Sequence, residues 1–391
     1  MQERILHTFE AGRRGKPDEL ESSIANLLGA HLLELDPNAR FDLRVTGTTN
    51  NERPTVRVSG ELSEHLLNDG LKDSLSKIVL ERYNSVHMTE LKPEEIVTEF
   101  VLKPQAASLA SNGNAGDSGN PIAVAYRNTP NHLPWERYLA VEIRDILDAI
   151  YQNKGVIPER IARISGVSKL EGLRADGKIS VDALYKGSAL VGLKGITIAV
   201  EHEPSLPLKE LRLKLGMIIS AIVKELESEY KQPFGVYEIS INGVGPWHSG
   251  GWAVDEGSRE AKPYRDGFAS YGVQEDSFSG EDPSKPSGTG TFLARYVAVQ
   301  IVGNGLADFA RVALSYTIGR EEVGLNIFTN GTARIRQEDL ESLIRESIPL
   351  RIKDGIKMFG LKDPSLYKKI ALGSDYFHNA ELPWNRVVKI L

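Results

Sequence analysis

Four short fragments bring acids and lysines together in glycine-rich surroundings. They are Gly15-Lys16-Pro17-Asp18, Gly116-Asp117-Ser118-Gly119, a stretch from Asp255 through Lys262 to Asp266, and Ser279-Gly280-Glu281-Asp282-Pro283-Ser284-Lys285. Carboxylates that hold Mg²⁺ and lysines that hold phosphate oxygens are the residue types that polyphosphate chemistry needs. Lys16 and Asp18 open an apolar helical run, where free N–H groups and the helix dipole favour an anion. Each fragment taken alone is more often a capped turn or a solvated loop. Gly172-Leu173-Arg174-Ala175-Asp176-Gly177-Lys178-Ile179 has the glycine and lysine spacing of a phosphate loop. It lacks the closing Ser/Thr, no apolar strand precedes it, and a strand instead of a helix is expected after it, so that reading is rejected. The cluster of Arg174, Asp176 and Lys178 keeps its phosphate-binding character.

Other chemistries lose their support. The 8 histidines show no zinc-ligand spacing, and there is neither a Gly-x-Ser-x-Gly elbow nor a Gly-x-Gly-x-x-Gly fingerprint. Cysteine is absent, which removes disulfides, thiol nucleophiles and iron–sulfur clusters together.

These fragments must be positioned by regular elements. Apolar residues at helical spacing predict a helix from Pro17 to about Leu32, and a second is expected over Ser63 to Tyr83. Phe41 to Thr48 and Thr55 to Ser59 read as paired strands around a polar turn. Gln105 to Gly119 is almost entirely small or polar and reads as a flexible loop, either a linker or a lid. Beyond it a helix is expected from Pro134 to about Tyr151. A strand pair over Ile179 to Leu184 and Leu190 to Glu201 precedes a long helix, Leu206 to Tyr230, and a strand at Gly235 to Ile241. Phe309 to Ile318 and Val323 to Phe328 predict strands, with a helix at Gln337 to Ile348. Three blocks of similar content, strand pair then helix, suit an α+β fold with helices on one face of mixed sheets.

At 391 residues the chain is long enough for two or three domains, and its 41% hydrophobic and 26% charged residues suit packed cores. A net charge of −6 does not argue for nucleic acid or a membrane surface as partner. Met1 to Gly15 is polar and lacks the apolar core of a signal peptide, and no apolar run reaches spanning length, so a cytoplasmic protein is expected.

In their order along the chain, the fragments resemble the methionine adenosyltransferase (S-adenosylmethionine synthetase) family from about His7 to Trp384. Gly15-Lys16-Pro17-Asp18-Glu19 is similar to the family's Gly-His-Pro-Asp-Lys, and Asp36-Pro37-Asn38-Ala39-Arg40 follows the helix. Val58-Ser59-Gly60-Glu61 is similar to a Gly-Gly-Glu turn, Gly116-Asp117-Ser118-Gly119 to Gly-Asp-Gln-Gly, and Arg174-Ala175-Asp176-Gly177-Lys178 to Arg-Pro-Asp-Ala-Lys. The most specific likeness is Phe278 to Lys285, with Ala294-Arg295-Tyr296-Val297-Ala298, Ser315-Tyr316-Thr317-Ile318-Gly319 and Leu382-Pro383-Trp384 after it.

The resemblance implies three α+β blocks with pseudo-threefold symmetry, nominally 1–125, 126–243 and 244–391 with interleaved segments, and a gating loop at 105–116. It implies a homodimer, or a tetramer, with active sites at the subunit interface. The reaction implied is attack of methionine sulfur on C5′ of ATP, with the triphosphate then cleaved to phosphate and pyrophosphate. Asp18 and Asp255 correspond to carboxylates for two Mg²⁺ ions, and Glu10 to an acid near a K⁺ site. Lys178, Lys262 and Lys285 correspond to phosphate lysines, Glu61 and Asp117 to groups that hold methionine, and Asp176 to a nucleoside contact, with Asp266 on the substrate side. Lys16 stands where the family has a histidine, Glu281 where it has a phosphate-binding lysine, Ser287 for an aspartate and Ala261 for an arginine. The changes at Lys16 and Glu281 also fit a relative that uses ATP with another nucleophile or triphosphate fate, or a non-catalytic regulatory homologue.

Overall fold

Along Phe41–Asn50 (β2) and Arg53–Leu62 (β3), alternate residues Phe41, Leu43, Val45, Val56 and Val58 are buried, which is the pattern of a sheet with one face on a core. In the computed structural model, which describes residues 4–105, 114–257, 266–272, 277–373 and 375–390, these strands pair antiparallel from Phe41↔Leu62 to Asn50↔Arg53. Asn51 and Glu52 close the hairpin with φ of 49° and 64°, the two left-handed residues that a tight hairpin turn requires. Val97–Pro104 (β4) adds parallel to β3. Pro17–Leu35 (α1) and Asp69–His87 (α2) cover this sheet, placing Leu20, Ile24, Leu28, Leu75 and Val79 in one apolar cluster with it. The second helix starts later than the periodicity predicts. Asn68 caps it by accepting from Leu71 N at 2.9 Å, and Glu64–Leu66 forms a separate 3₁₀ turn.

A four-stranded sheet has the order β1-β6-β7-β8, from Arg4–Gly12 (β1), Leu173–Lys186 (β6), Ala189–His202 (β7) and Glu238–Ile241 (β8). Trp135–Gln152 (α3) packs on β1 and β6, and Leu208–Tyr230 (α5), which also touches Glu159–Ser165 (α4), packs near β8. The last strand is shorter than expected because Gly235 sits at φ +74°, outside strand geometry. A third sheet joins Gly324–Phe328 (β10), Phe309–Ser315 (β9) and Ile122–Tyr126 (β5), with Thr291–Gly303 (α6) packed on β5 and β9. Gln337–Ser347 (α7), Ile352–Phe359 (α8) and Pro364–Leu372 (α9) follow, and α9 lies along α1.

The architecture is α+β, with mixed sheets: β3–β4 and β7–β8 are parallel, the other named pairs antiparallel. Strands from the first 126 residues enter all three sheets. Among the described residues no helix is long and apolar enough to cross a membrane.

Candidate active site

The turn before α1 is sewn to the start of β6: Arg13 N donates to Gly177 O at 2.8 Å and Gly15 N to Ala175 O at 3.2 Å. A side chain at Gly15 would put its Cβ 2.4 Å from that of Ala175, so only glycine allows this approach. The turn delivers Lys16 as the residue capping α1, Pro17 at its first position and Asp18 in its first turn, 5% exposed. Lys16 Nζ lies 3.7 Å from Asp18 Oδ2 and 3.9 Å from Asp255 Oδ2. Asp176 stands nearby, its Oδ1 accepting from Gly177 N at 2.6 Å and its Oδ2 from Gly251 N at 2.7 Å. Burial raises the Asp176 carboxyl above the usual carboxylate range, against those N–H groups and the Lys16 charge. Glu201, at the end of β7, is raised by burial and by the Asp176 charge. Four predicted residues, Lys16, Asp18, Asp176 and Asp255, thus gather at the N-terminus of α1.

Asp255 reaches this group on a strap, residues 247–257. The strap is held at one end by His202 N donating to Trp247 O at 2.9 Å and in the middle by Asp176. Farther along it is held by Glu21, whose Oε1 accepts from Trp252 Nε1 at 3.1 Å, Gly257 N at 3.1 Å and Gly47 N at 2.8 Å. Trp252 lies so close over β2 that a Cβ at Gly47 would be 1.9 Å from the indole. Burial, outweighing these donors, pushes the Glu21 carboxyl up to about 7. An acid that binds its proton more tightly folded than unfolded makes folding less favourable as pH rises from its ordinary value of 4.5 to about 7. At about 1.4 kcal/mol per unit, the total is about 3 kcal/mol. Glu21→Gln is therefore expected to flatten the fall in stability between these pH values, measured by urea unfolding across pH; curves that run parallel for the two proteins would overturn the assignment.

A second group surrounds Lys285, whose Nζ is 3.0 Å from Asp117 Oδ2 and 3.6 Å from Asp42 Oδ2. Burial works against the Lys285 charge. The hydrogen bond to Asp117 and the carboxylates of Asp42, Asp117 and Glu281 outweigh it and hold the ammonium above the ordinary lysine range. Glu281 is buried, faces Asp42 across an isolated bridge and accepts a hydrogen bond from Ser287 Oγ. Glu61 is exposed and pairs in register with Asp42 on one side and Lys103 on the other.

A third group is the pair Lys178 Nζ and Glu10 Oε2, 2.9 Å apart across β1 and β6. Glu10 borders a small polar cavity together with Glu19, Asp266, Arg14 and Arg82. Asp266 is buried, and its carbonyl accepts from Arg137 Nη2 at 3.0 Å. Lys262, Ala261 and residues 106–113 of the expected gating loop lie outside the described residues.

The sequence reading did not single out Glu21, Asp42 or Glu201. Asp42 had a usable signal: in the alternation of β2 it shares the polar face with Arg44. Glu21 sits inside a helix and carries no such mark.

Residues 249–386 match the family described as S-adenosylmethionine synthetase, C-terminal domain. Over its length the chain is similar to the S-adenosylmethionine synthase of Aquifex aeolicus (strain VF5), 28% identical over 397 residues that cover 98% of this chain and 97% of that protein. It is similar to the S-adenosylmethionine synthase of Lacticaseibacillus casei (strain BL23), 27% identical over 415 residues, covering 100% of this chain and 98% of the other. A domain match on the segment that carries Asp255 and Lys285 is thus joined to likeness along the whole chain, and both point to the family that the sequence motifs resemble.

Proposed function

We infer that the protein is an ATP-dependent adenosyltransferase that makes S-adenosylmethionine from ATP and L-methionine. The sulfur lone pair forms a bond to C5′ while the C5′–O5′ bond breaks, leaving a sulfonium on the product and triphosphate as the leaving group, which water then splits to phosphate and pyrophosphate. A thioether is a neutral, modest nucleophile, so the rate must come from positioning and from cations at the leaving group. The observation that carries this reading is the group at α1, where Lys16 stands between Asp18 and Asp255 with Asp176 beside it.

Among the described residues no three metal-ligating side chains gather at one point. Two carboxylates around one cation position still suit Mg²⁺ that arrives with phosphate oxygens and water. Asp18 and Asp255 would hold it there, and it would offset charge on the departing triphosphate. Glu10, which borders the small polar cavity, would lie beside K⁺. On this reading Lys16 and Lys178 bind phosphates, Asp176 orients the nucleoside, Asp117 and Glu61 hold the methionine ammonium, and Lys285 balances the acids around it. Glu61 and Asp117 face outward, which supports a homodimer completing the site across its interface; the three sheets are read as the repeats of a pseudo-threefold fold. A cytoplasmic location is part of the same reading.

One observation favours a second reading. The Ser287–Glu281 hydrogen bond puts a carboxylate at 281, where the family resemblance expects a lysine, and a hydroxyl at 287, where it expects an aspartate. That inversion suits a relative with another nucleophile or another fate for the triphosphate.

The test is incubation of the purified protein with ATP, Mg²⁺, K⁺ and L-methionine, then mass spectrometry, with a panel of other amino acids and amines run in parallel. S-adenosylmethionine is expected, with Lys178→Ala reduced about 10- to 100-fold, since Lys178 is half exposed and its charge is partly screened. No product above that variant would sink the first reading, and adenosylation of another panel member would establish the second.

A further inference from the structure

On the far side of the Asp282–Ser284 turn lies a cavity of about 830 Å³, a volume in the range of small-molecule sites. Its walls are the turn after α1, the Asp282–Ser284 turn, one face of α8 and the turn leading to α9. None of the residues assigned above to ATP, methionine or metal lines it.

Four cations border the cavity: Arg40, Lys353, Lys357 and Lys362. Two carboxylates border it as well, and both are committed to the wall. Asp282 accepts from Arg40 Nε at 3.1 Å, Phe41 N at 3.1 Å and Ser284 N at 2.8 Å. Asp363 caps α9 by accepting from Ser365 N at 2.9 Å. Lys353 leans on Glu321 at 2.9 Å, and among the described residues Lys362 meets only the neutral Asn38 Oδ1, at 2.5 Å. Among the described residues Lys357 has no carboxylate within 4.0 Å. The charge left facing the cavity is positive.

Two donors stand just behind this wall. Arg40 Nη2 and Ser284 Oγ are buried and have no hydrogen-bond partner among the described residues. They lie side by side beneath Gly116, whose Cβ, if present, would be 2.7 Å from the first and 2.6 Å from the second. Buried donors without acceptors are costly, and an anion is the acceptor that answers a guanidinium. Pro37, Ala39, Pro283 and Ile356 give apolar wall beside the cations, and Asn38, Asn114 and Gly360 complete the lining.

We propose that this cavity is a second anion site, for a small molecule bearing a polyphosphate chain. Several separated ammonium groups match a multiply charged anion better than a single carboxylate, and the apolar wall offers stacking area to a nucleotide base. The cavity is walled by the Arg40 and Ser284 segments on which Gly116 sits, so occupancy bears directly on the segment that carries Asp117.

Equilibrium dialysis of the intact protein tests this, with inorganic tripolyphosphate and, separately, the non-hydrolysable ATP analogue AMP-PNP as probes. The variants are Lys357→Glu/Lys362→Glu, Lys178→Ala, and the charge-matched control Lys72→Glu/Lys77→Glu on α2. Wild type is expected to bind tripolyphosphate at a site that survives Lys178→Ala and the control, and that weakens at least tenfold in Lys357→Glu/Lys362→Glu. Adenosyltransferase activity of that last variant is expected to stay within twofold of wild type when ATP is saturating. Tighter binding of AMP-PNP than of tripolyphosphate at this site identifies a nucleotide as the occupant, and the reverse order a free polyphosphate. Binding unchanged by the Lys357/Lys362 pair, or equally weakened by the control, overturns the proposal. Loss of adenosyltransferase activity in the wild-type assay with this site intact would count against the proposed function alone.

Discussion

Replacing Lys285 by methionine is expected to lower S-adenosylmethionine formation about 10³-fold. Lys285 is 8% exposed and is the cation among Asp42, Asp117 and Glu281. Methionine keeps the length of the stem and removes the charge, so three acids are left facing one another near an incoming polyphosphate. Asp117 is half exposed, so the ion pair itself is partly screened. The rate loss is that of one preorganised cation beside a developing negative charge, and it stands at the upper end of about 10²–10³-fold. The effect belongs in kcat/KM for ATP, measured with methionine saturating and the fold checked by circular dichroism. Lys285→Met/Asp42→Asn is expected to recover about tenfold of the loss, because it relieves the crowding of like charges. A decrease of less than tenfold in Lys285→Met would remove Lys285 from the site.

The largest stability effect is expected at the other end of the chain. Trp384→Ala should lower the free energy of unfolding by about 5 kcal/mol, from the loss of a large buried aromatic at about 3–5 kcal/mol and of a buried hydrogen bond at about 1 kcal/mol. The indole is fully buried, stacks on Phe292 with centroids 3.8 Å apart and donates from Nε1 to Tyr376 O at 2.7 Å. Its neighbour Asn385 accepts from the buried Arg295 at 3.1 Å, so the tail is tied to α6 at two points. Trp384→Phe keeps the stacking and is expected to cost about a third as much. Urea unfolding measures both, and a midpoint for Trp384→Ala equal to that of wild type would show that the tail lies outside the cooperative unit.

These two residues also show what the sequence made legible. Ala294-Arg295-Tyr296-Val297-Ala298 and Leu382-Pro383-Trp384 are further marks of family resemblance after Phe278 to Lys285, and in the structure Arg295 and Trp384 are fastenings. Arg295 is fully buried and donates to the carbonyls of Val124 at 2.6 Å and His132 at 3.1 Å as well as to Asn385. The β2–β3 hairpin was readable because one face is wet and the other dry, which writes a period of two into the residues. Thr291–Gly303 left no such trace: it is buried nearly all round, and a helix without a polar face has no amphipathic signature. Arg4–Gly12 carries no strand signature because Ile5 and Leu6, exposed at 45% and 51%, stand side by side and break any period of two. For the site, the resemblance supplied Lys16, Asp18, Asp176 and Asp255, and the structure brings them together. Glu21 was beyond reach, since three backbone and indole donors from distant segments meet it only in three dimensions.

The strand order sets a timetable for the chain as it leaves the ribosome. The β2–β3–β4 sheet is complete once Pro104 has emerged, because its three strands follow one another. β1 and β5 have no partner at that stage: Gly12 must wait for Lys178, and Tyr126 for Phe309. Until then their backbone N–H and C=O groups remain available to other chains, and pairings so distant in sequence close slowly. β1 is therefore covered near the middle of synthesis, whereas β5 stays open until β9 is made, so the nascent chain carries two unpaired strands between Tyr126 and Lys178 and one from there to Phe309.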